Sequence, residues 1–281
     1  MNIRKYFVIG LAKTGTTVVS KTIQNTMSIN DYYMEPKDAS FFEAISTREN
    51  DCVVKVLYDH WVDRPNLFNS IVYNEFNTNF LANIFIVRDP RAEIISRLHY
   101  VAYPYFENRA SSESDVQKWL EIFRRKESDP GAVSLRDITH HLATNFNVFG
   151  AEEIKQSSTA AIRYAEYLSN LPKELKTVLR YEDFVSGNLT DHPLRDLLVG
   201  SRDVGDDLRR TRRSGGEDDW HAFFHPSDYE WLREILGNTA QLLGYDFAPT
   251  GPKHAINPEN SSQYVEQIIR EAQRKRLSNA K

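Results

Sequence analysis

Three short segments of the chain carry residues whose types and spacing suit the binding of phosphate. The first is Gly10-Leu11-Ala12-Lys13-Thr14-Gly15-Thr16-Thr17. Glycine lets a backbone come close to a phosphate, and a helix starting after the loop offers free N–H groups and the positive end of its dipole. Lys13 adds a full charge, and the threonine hydroxyls add donors. The order is not that of a nucleoside-triphosphate loop, in which lysine directly follows the second glycine. Here Thr16 has that place and Lys13 comes two residues before Gly15. A loop that grips one phosphate with its lysine ahead of the glycine points to a different donor. The second segment is Ile84-Phe85-Ile86-Val87-Arg88-Asp89-Pro90, continuing to Ser96. A guanidinium at the C-terminal end of a strand can hold a phosphate with two parallel hydrogen bonds. The plainer alternative is a structural pair between Arg88 and Asp89 or Asp183. The third segment runs from Arg209 to Trp220 and includes Arg212-Arg213-Ser214-Gly215-Gly216. It is either a loop that closes over an anion with its N–H groups and arginines inward, or a mobile basic surface loop.

Positioning these groups requires strands that end where the loops begin. Short apolar runs predict strands at Tyr6–Ile9, Cys52–Leu57, Ile84–Val87 and Thr177–Arg180. A helix is expected over Thr17–Met27, and Asp89-Pro90 supplies an N-cap and a first-turn proline for a helix with Ile94, Ile95 and Leu98 on one face. Late in the chain, Ser227-Asp228-Tyr229-Glu230 reads as a capping box opening a helix with Leu232, Ile235 and Leu236 at helical spacing. Strands alternating with helices predict an α/β, P-loop-like three-layer fold with a central, mainly parallel sheet flanked by helices. Residues 1–250 are read as one domain. Within it, Val101 to Glu152 fit the alternation least and read as a helical insertion, with Val116, Leu120 and Phe123 at helical spacing. Residues 251–281 read as a tail whose basic helix is a solvated surface element.

Composition narrows the function classes. Of 281 residues 41% are hydrophobic, enough to bury a core, and the formal net charge of -4 argues against a nucleic-acid or membrane-surface protein. Any basic site is therefore local. The single cysteine, Cys52, excludes an intramolecular disulfide and a cysteine metal cluster. No H-E-x-x-H pattern is present, so no metal site is expected. The start Met-Asn-Ile-Arg-Lys has no signal-peptide pattern, and no run approaches the ~18 apolar residues of a membrane span. A cytoplasmic location is the expectation.

Together the segments resemble the PAPS-dependent sulfotransferase family, nearer its bacterial and carbohydrate-directed members. Lys13-Thr14-Gly15-Thr16-Thr17 is similar to the family loop for the 5′-phosphosulfate of 3′-phosphoadenosine 5′-phosphosulfate (PAPS). Arg88 and Ser96 match the family pair for the 3′-phosphate. Arg213 and Gly215, seven and five residues before Trp220, resemble the closing loop that also holds the 3′-phosphate, and Ser214 lies between them. Tyr181-Glu182-Asp183 looks like a further signature whose tyrosine lies near the adenine. The likeness spans roughly Tyr6 to Leu243, with a gap at Val101 to Glu152. Val18 stands where many members have a tryptophan, Ser214 where many have lysine, and Asp218 where glycine is usual, which bears on adenine packing and on the 3′-phosphate.

The resemblance implies in-line transfer of a sulfuryl group from PAPS, as co-substrate, to a hydroxyl or amine of a small-molecule or carbohydrate acceptor, with no metal required. Lys13 would bond the bridging oxygen, Thr16 and Thr17 would hold the phosphate, and Ser96 would restrain Lys13 until acceptor binds. The acceptor needs a base. Glu35 in Met34-Glu35-Pro36-Lys37, ahead of Phe41-Phe42, resembles the glutamate base of carbohydrate and bacterial sulfotransferases. The rival is His60, five residues after Lys55 rather than two as in the cytosolic small-molecule branch. Two other function classes stay in view. A P-loop small-molecule kinase is disfavoured by the missing lysine after Gly15 and by the want of a clear Mg²⁺-binding aspartate at a strand end. A non-catalytic nucleotide-binding module is disfavoured by the presence of both Lys13 and Glu35.

Overall fold

In the computed structural model, residues 3–211, 219–249 and 255–279 are described. The elements in chain order are β1 (Lys5–Gly10), α1 (Thr16–Met27), β2 (Asp31–Met34), α2 (Ala39–Ser46), β3 (Cys52–Leu57), α3 (Pro65–Val72), β4 (Ala82–Val87), α4 (Pro90–Tyr100), α5 (Ala102–Asn108), α6 (Glu113–Ser128), α7 (Leu135–Phe146), α8 (Ala151–Asn170), β5 (Thr177–Arg180), α9 (Tyr181–Ser186), α10 (Pro226–Leu242) and α11 (Ser262–Asn279). They divide between two compact units, residues 1–88 with 160–212, and residues 89–159 with 213–281.

The first unit is a five-stranded, all-parallel sheet in the order β2-β3-β1-β4-β5. Its central strands β1, β3 and β4 are buried on both faces, which is why β1 (Lys5–Gly10) reads as an apolar run rather than an alternation. One face, carrying Tyr6, Val8, Val53, Ile84 and Leu179, packs against Val19 and Ile23 of α1 and Phe184 of α9. The other is aromatic: Phe7 meets Phe42 of α2 and Phe68 of α3, and Phe85 meets Tyr164 and Tyr167 of α8. The α/β three-layer arrangement expected from the alternation is present, all strands being parallel.

The second unit is helical around one core. Phe106, Trp119, Phe123, Leu142, Leu232 and Ile268 are fully buried in it. Two expectations need correction here. The helix of the C-terminal tail does not lie solvated: Tyr264, Val265, Ile268, Ile269 and Ala272 of α11 form a buried stripe at helical spacing. And α10 is not capped by Ser227. Pro226 takes the first helical position, so His225 is the N-cap and Asp228 closes the box. Among the described residues no helix is long and apolar enough to cross a membrane.

Candidate functional site at the strand ends of the first unit

Chain connections place the functional groups before any side chain is considered. From β1 (Lys5–Gly10) the chain passes through α1 on one face and fills the β2-β3 side, then crosses to β4, whose return to β5 uses α8 on the other face. The connections leaving β1 and β4 therefore diverge, and open parallel sheets bind ligands in the crevice at such a switch point, beyond the C-terminal strand ends. Candidate groups stand just past all five ends: the Lys13 loop after β1, Glu35 after β2, Asp59 and His60 after β3, Arg88 after β4 and Tyr181 after β5.

The loop after β1 is tightly folded. Gly10 is required because a Cβ there would lie 2.7 Å from Thr14 Oγ1 and from Thr16 Cγ2. Thr14 donates to the Leu11 carbonyl through both its N–H (3.3 Å) and its hydroxyl (2.7 Å). Lys13 adopts the left-handed region at φ 69°, a conformation that costs a non-glycine residue about 1–2 kcal/mol. Gly15, at φ 93°, is the N-cap of α1 and has no side chain with which to cap it. The first-turn N–H groups of α1, which have no intrahelical acceptor, thus face the loop side with no acidic residue in that turn. Thr14 and Thr16 are buried and Thr17 is half-buried.

Arg88 and Tyr181 are built against this loop. Nη1 of Arg88 donates to the Lys13 carbonyl at 2.8 Å. Its guanidinium carbon lies 4.7 Å from the centre of the Tyr181 ring, and Nε is buried without a hydrogen-bond partner among the described residues. The Tyr181 ring lies across Gly15 so closely that a Cβ there would approach it to 2.2 Å. Lys13, Thr14, Gly15, Thr16, Thr17, Arg88 and Tyr181 are therefore one cluster of the first unit. Val18, at the position of interest for adenine stacking, is 8% exposed and part of the sheet core.

Glu35 and Lys55 form an ion pair across neighbouring strands. Met34 and Lys55 are register partners, and the Glu35 N–H donates to the Lys55 carbonyl at 2.7 Å, which holds Glu35 at φ 57°. The Lys55 side chain is 3% exposed. Burial pushes its pKa down, and the attraction of Glu35 and Asp59 opposes that shift. His60, half-buried, is held below its usual pKa by burial and by Lys37, so its imidazole is neutral at pH 7. Its Nδ1 is buried without a partner among the described residues. Phe42 lies in the sheet core against Phe7 and Trp61, with Phe41 edge-on to it.

Ser96 lies half-buried on α4 of the second unit. Arg213, Ser214 and Gly215 lie outside the described residues. Asp59 escaped the sequence reading, which found no clear Mg²⁺-binding aspartate at a strand end. It stands two residues past β3, and its Oδ2 accepts the Ala12 N–H at 2.8 Å. Its only sequence signal is its place in Tyr58-Asp59-His60 directly after an apolar run. Tyr164 was also missed. Its hydroxyl donates to the carbonyls of Ile9 (3.3 Å) and Ile86 (3.1 Å), tying β1 to β4 just below the crevice. Among the described residues no group of three or more His, Cys, Asp or Glu side chains is gathered as a metal ion would require. No family model matches the chain, and neither does any curated protein.

Proposed function

We propose that this protein is a PAPS-dependent sulfotransferase. The observation that carries the reading is the cluster at the β1–β4 switch point, where a left-handed Lys13 loop, an uncapped helix N-terminus and the Arg88 guanidinium stacked on Tyr181 meet. The cluster suits a nucleotide bearing separate phosphate groups and has no lysine directly after Gly15 for a triphosphate chain.

Sulfuryl transfer needs little covalent chemistry from the protein. A compact anionic group moves in line between two oxygens, so positioning and charge stabilisation do most of the catalysis. As the bond from sulfur to the acceptor oxygen forms, the bond to the bridging oxygen of PAPS breaks. Its electron pair stays on that oxygen, which becomes part of the 5′-phosphate of adenosine 3′,5′-bisphosphate. Lys13 and the N–H groups at the start of α1 neutralise this growing charge. Arg88 holds the 3′-phosphate, and Tyr181 borders the adenine. Glu35 takes the acceptor proton on Oε2, its Oε1 being fixed by Lys55. The acceptor class is a hydroxyl or amine of a small molecule or carbohydrate.

Calorimetry tests the nucleotide assignment. Adenosine 3′,5′-bisphosphate is expected to bind without metal and at least tenfold more tightly than AMP, since a 3′-phosphate adds a charge-assisted contact. Equal affinity for the two, or strict dependence on Mg²⁺, counts against the reading. Transfer of label from PAPS to an acceptor panel, with and without chelator and beside ATP, separates it from a kinase.

A further inference from the structure

We propose that Asp59 is a positioning residue for the phosphate loop: as an acceptor for the Ala12 N–H it sets the backbone from which Lys13 projects. The inference rests on the loop being the site of the nucleotide phosphate, but its structural arm does not depend on which nucleotide binds.

The argument is made from peptide units. The Leu11–Ala12 peptide is held at both ends, its N–H by Asp59 Oδ2 at 2.8 Å and its carbonyl by Thr14. The Lys13–Thr14 peptide is also held at both ends, its carbonyl by Arg88 Nη1 and its N–H by Leu11. These two held peptides flank the Ala12–Lys13 peptide between them, and with it Lys13, whose φ of 69° an L-residue does not keep unless its surroundings over-determine it. Thr14 belongs to the loop itself. Two external holds are Asp59 from the end of β3 and Arg88 from the end of β4, gripping opposite sides of the loop after the strand between them.

Asp59 is well placed for such a task. Leu57 pairs in register with Gly10, which brings the turn after β3 beside the loop after β1. The turn is anchored by Tyr58, packed on Phe68 and Tyr164, and by a 2.8 Å bond from the Trp61 N–H to the Tyr58 carbonyl. Asp59 attracts Lys55, but toward a bound phosphate its charge is unfavourable, so its benefit to the loop is geometric. That makes Asp59→Asn informative: asparagine keeps an acceptor oxygen and the shape while removing the charge.

Asp59→Asn and Asp59→Ala are compared with the wild-type full chain in two measurements. Amide hydrogen exchange reads the Ala12 N–H, and calorimetry reads adenosine 3′,5′-bisphosphate. Protection of Ala12 is expected in the wild type and in Asp59→Asn and is expected to be lost in Asp59→Ala. Affinity should fall about tenfold or more in Asp59→Ala, the usual scale for losing a hydrogen bond to a charged group, and be kept or improved in Asp59→Asn. In an activity assay the loss should appear in kcat as well as in KM, because the Lys13 contact strengthens in the transition state. Two results overturn the inference: Asp59→Asn as impaired as Asp59→Ala, which would make the charge the active feature, or wild-type protection of Ala12 in Asp59→Ala. Should Asp59→Ala fail to fold, Asp59→Asn alone still decides, by keeping or losing Ala12 protection. A wild type that does not bind the bisphosphate sinks the sulfotransferase reading, while the exchange result still judges Asp59.

Discussion

The two units bury polar groups in different ways. In the second unit three charged side chains complete backbone groups that a turn or helix end would otherwise leave unpaired. Lys126 donates to the carbonyls of Pro130 (2.7 Å) and Val133 (2.6 Å). Asp228, 1% exposed, accepts the N–H groups of Leu135, Arg136 and His225. Glu127 accepts both the N–H and the hydroxyl of Ser262, where α11 begins. In the first unit the polar groups gather at the ends of parallel strands, two of them on left-handed backbone, at Lys13 and Glu35. Buried polar atoms without a partner among the described residues occur in both units, Trp119 Nε1 in the second for example, but Arg88 Nε and His60 Nδ1 stand beside these strand ends. Buried charge that completes backbone hydrogen bonding is scaffolding. Buried charge on strained backbone around incompletely satisfied groups marks a place where a ligand or a reaction completes the set.

The sharpest way to break this contrast is at Glu35. Glu35→Gln keeps the shape and removes the proton acceptor, and is expected to lower kcat by roughly 10²–10⁴ with PAPS binding nearly unchanged. His60→Ala should do much less. The reverse ranking, an active Glu35→Gln beside a dead His60→Ala, would transfer the base to the neutral imidazole and put Lys55 and Glu35 among the scaffold pairs.

A somewhat smaller loss is expected at Lys13. Lys13→Ala removes charge stabilisation that grows in the transition state and should cut kcat by roughly 10²–10³. Arg88→Ala should chiefly raise the KM for PAPS, because its contact exists in ground and transition states alike. It also frees the Lys13 carbonyl, so a modest fall in kcat should accompany it. A fully active Lys13→Ala would remove the leaving-group role assigned to that lysine.

Much of the first unit could be read from the chain because buried parallel strands are written as unbroken apolar runs. β1 and β4 stood out in this way, and β3 despite Lys55, whereas β5, Thr-Val-Leu-Arg, is short and only its Leu179 is buried. β2 did not: Asp31-Tyr32-Tyr33-Met34 pairs only with β3, at the edge of the sheet, and its residues are half-buried or exposed. The Lys13 loop, Arg88 and Tyr181 were legible for the same reason, each directly following a strand. Asp59 was not, since its partner is set by the register of Leu57 with Gly10, which no local pattern encodes. In the second unit the apolar spacing of α6 was clear, whereas the basic residues of α11 hid its buried stripe.

On the scaffold side the expected effects fall on stability. Asp228→Ala leaves three N–H groups without their acceptor and should cost about 3 kcal/mol, read by urea unfolding. Below its transition the variant should bind adenosine 3′,5′-bisphosphate within about twofold of wild type. If instead it weakened the nucleotide as much as Arg88→Ala, the separation of scaffold polarity from site polarity would fail.

The smallest expected effect is a pH dependence at Lys126. This ammonium is fully buried, and burial pushes its pKa down to about 8 against the pull of Asp228, Asp137 and Asp129. In the unfolded chain it titrates near the ordinary lysine value of 10.5. Below pH 8 both states carry the proton, and the folded state bears the whole cost of the buried charge. Between about 8 and 10.5 the unfolded chain holds more protons than the folded one, so stability rises with pH. The neutral amine still has two hydrogens for the two carbonyls, so the scaffold contact survives deprotonation. Lys126→Met removes the titration, and the difference between wild type and variant cancels the other lysines and tyrosines. That difference should move in favour of the wild type by on the order of 1–2 kcal/mol from pH 7.5 to 9.5, measured by urea unfolding at both values. A difference that stays flat, or moves the other way, would mean that Lys126 does not titrate in this window while folded.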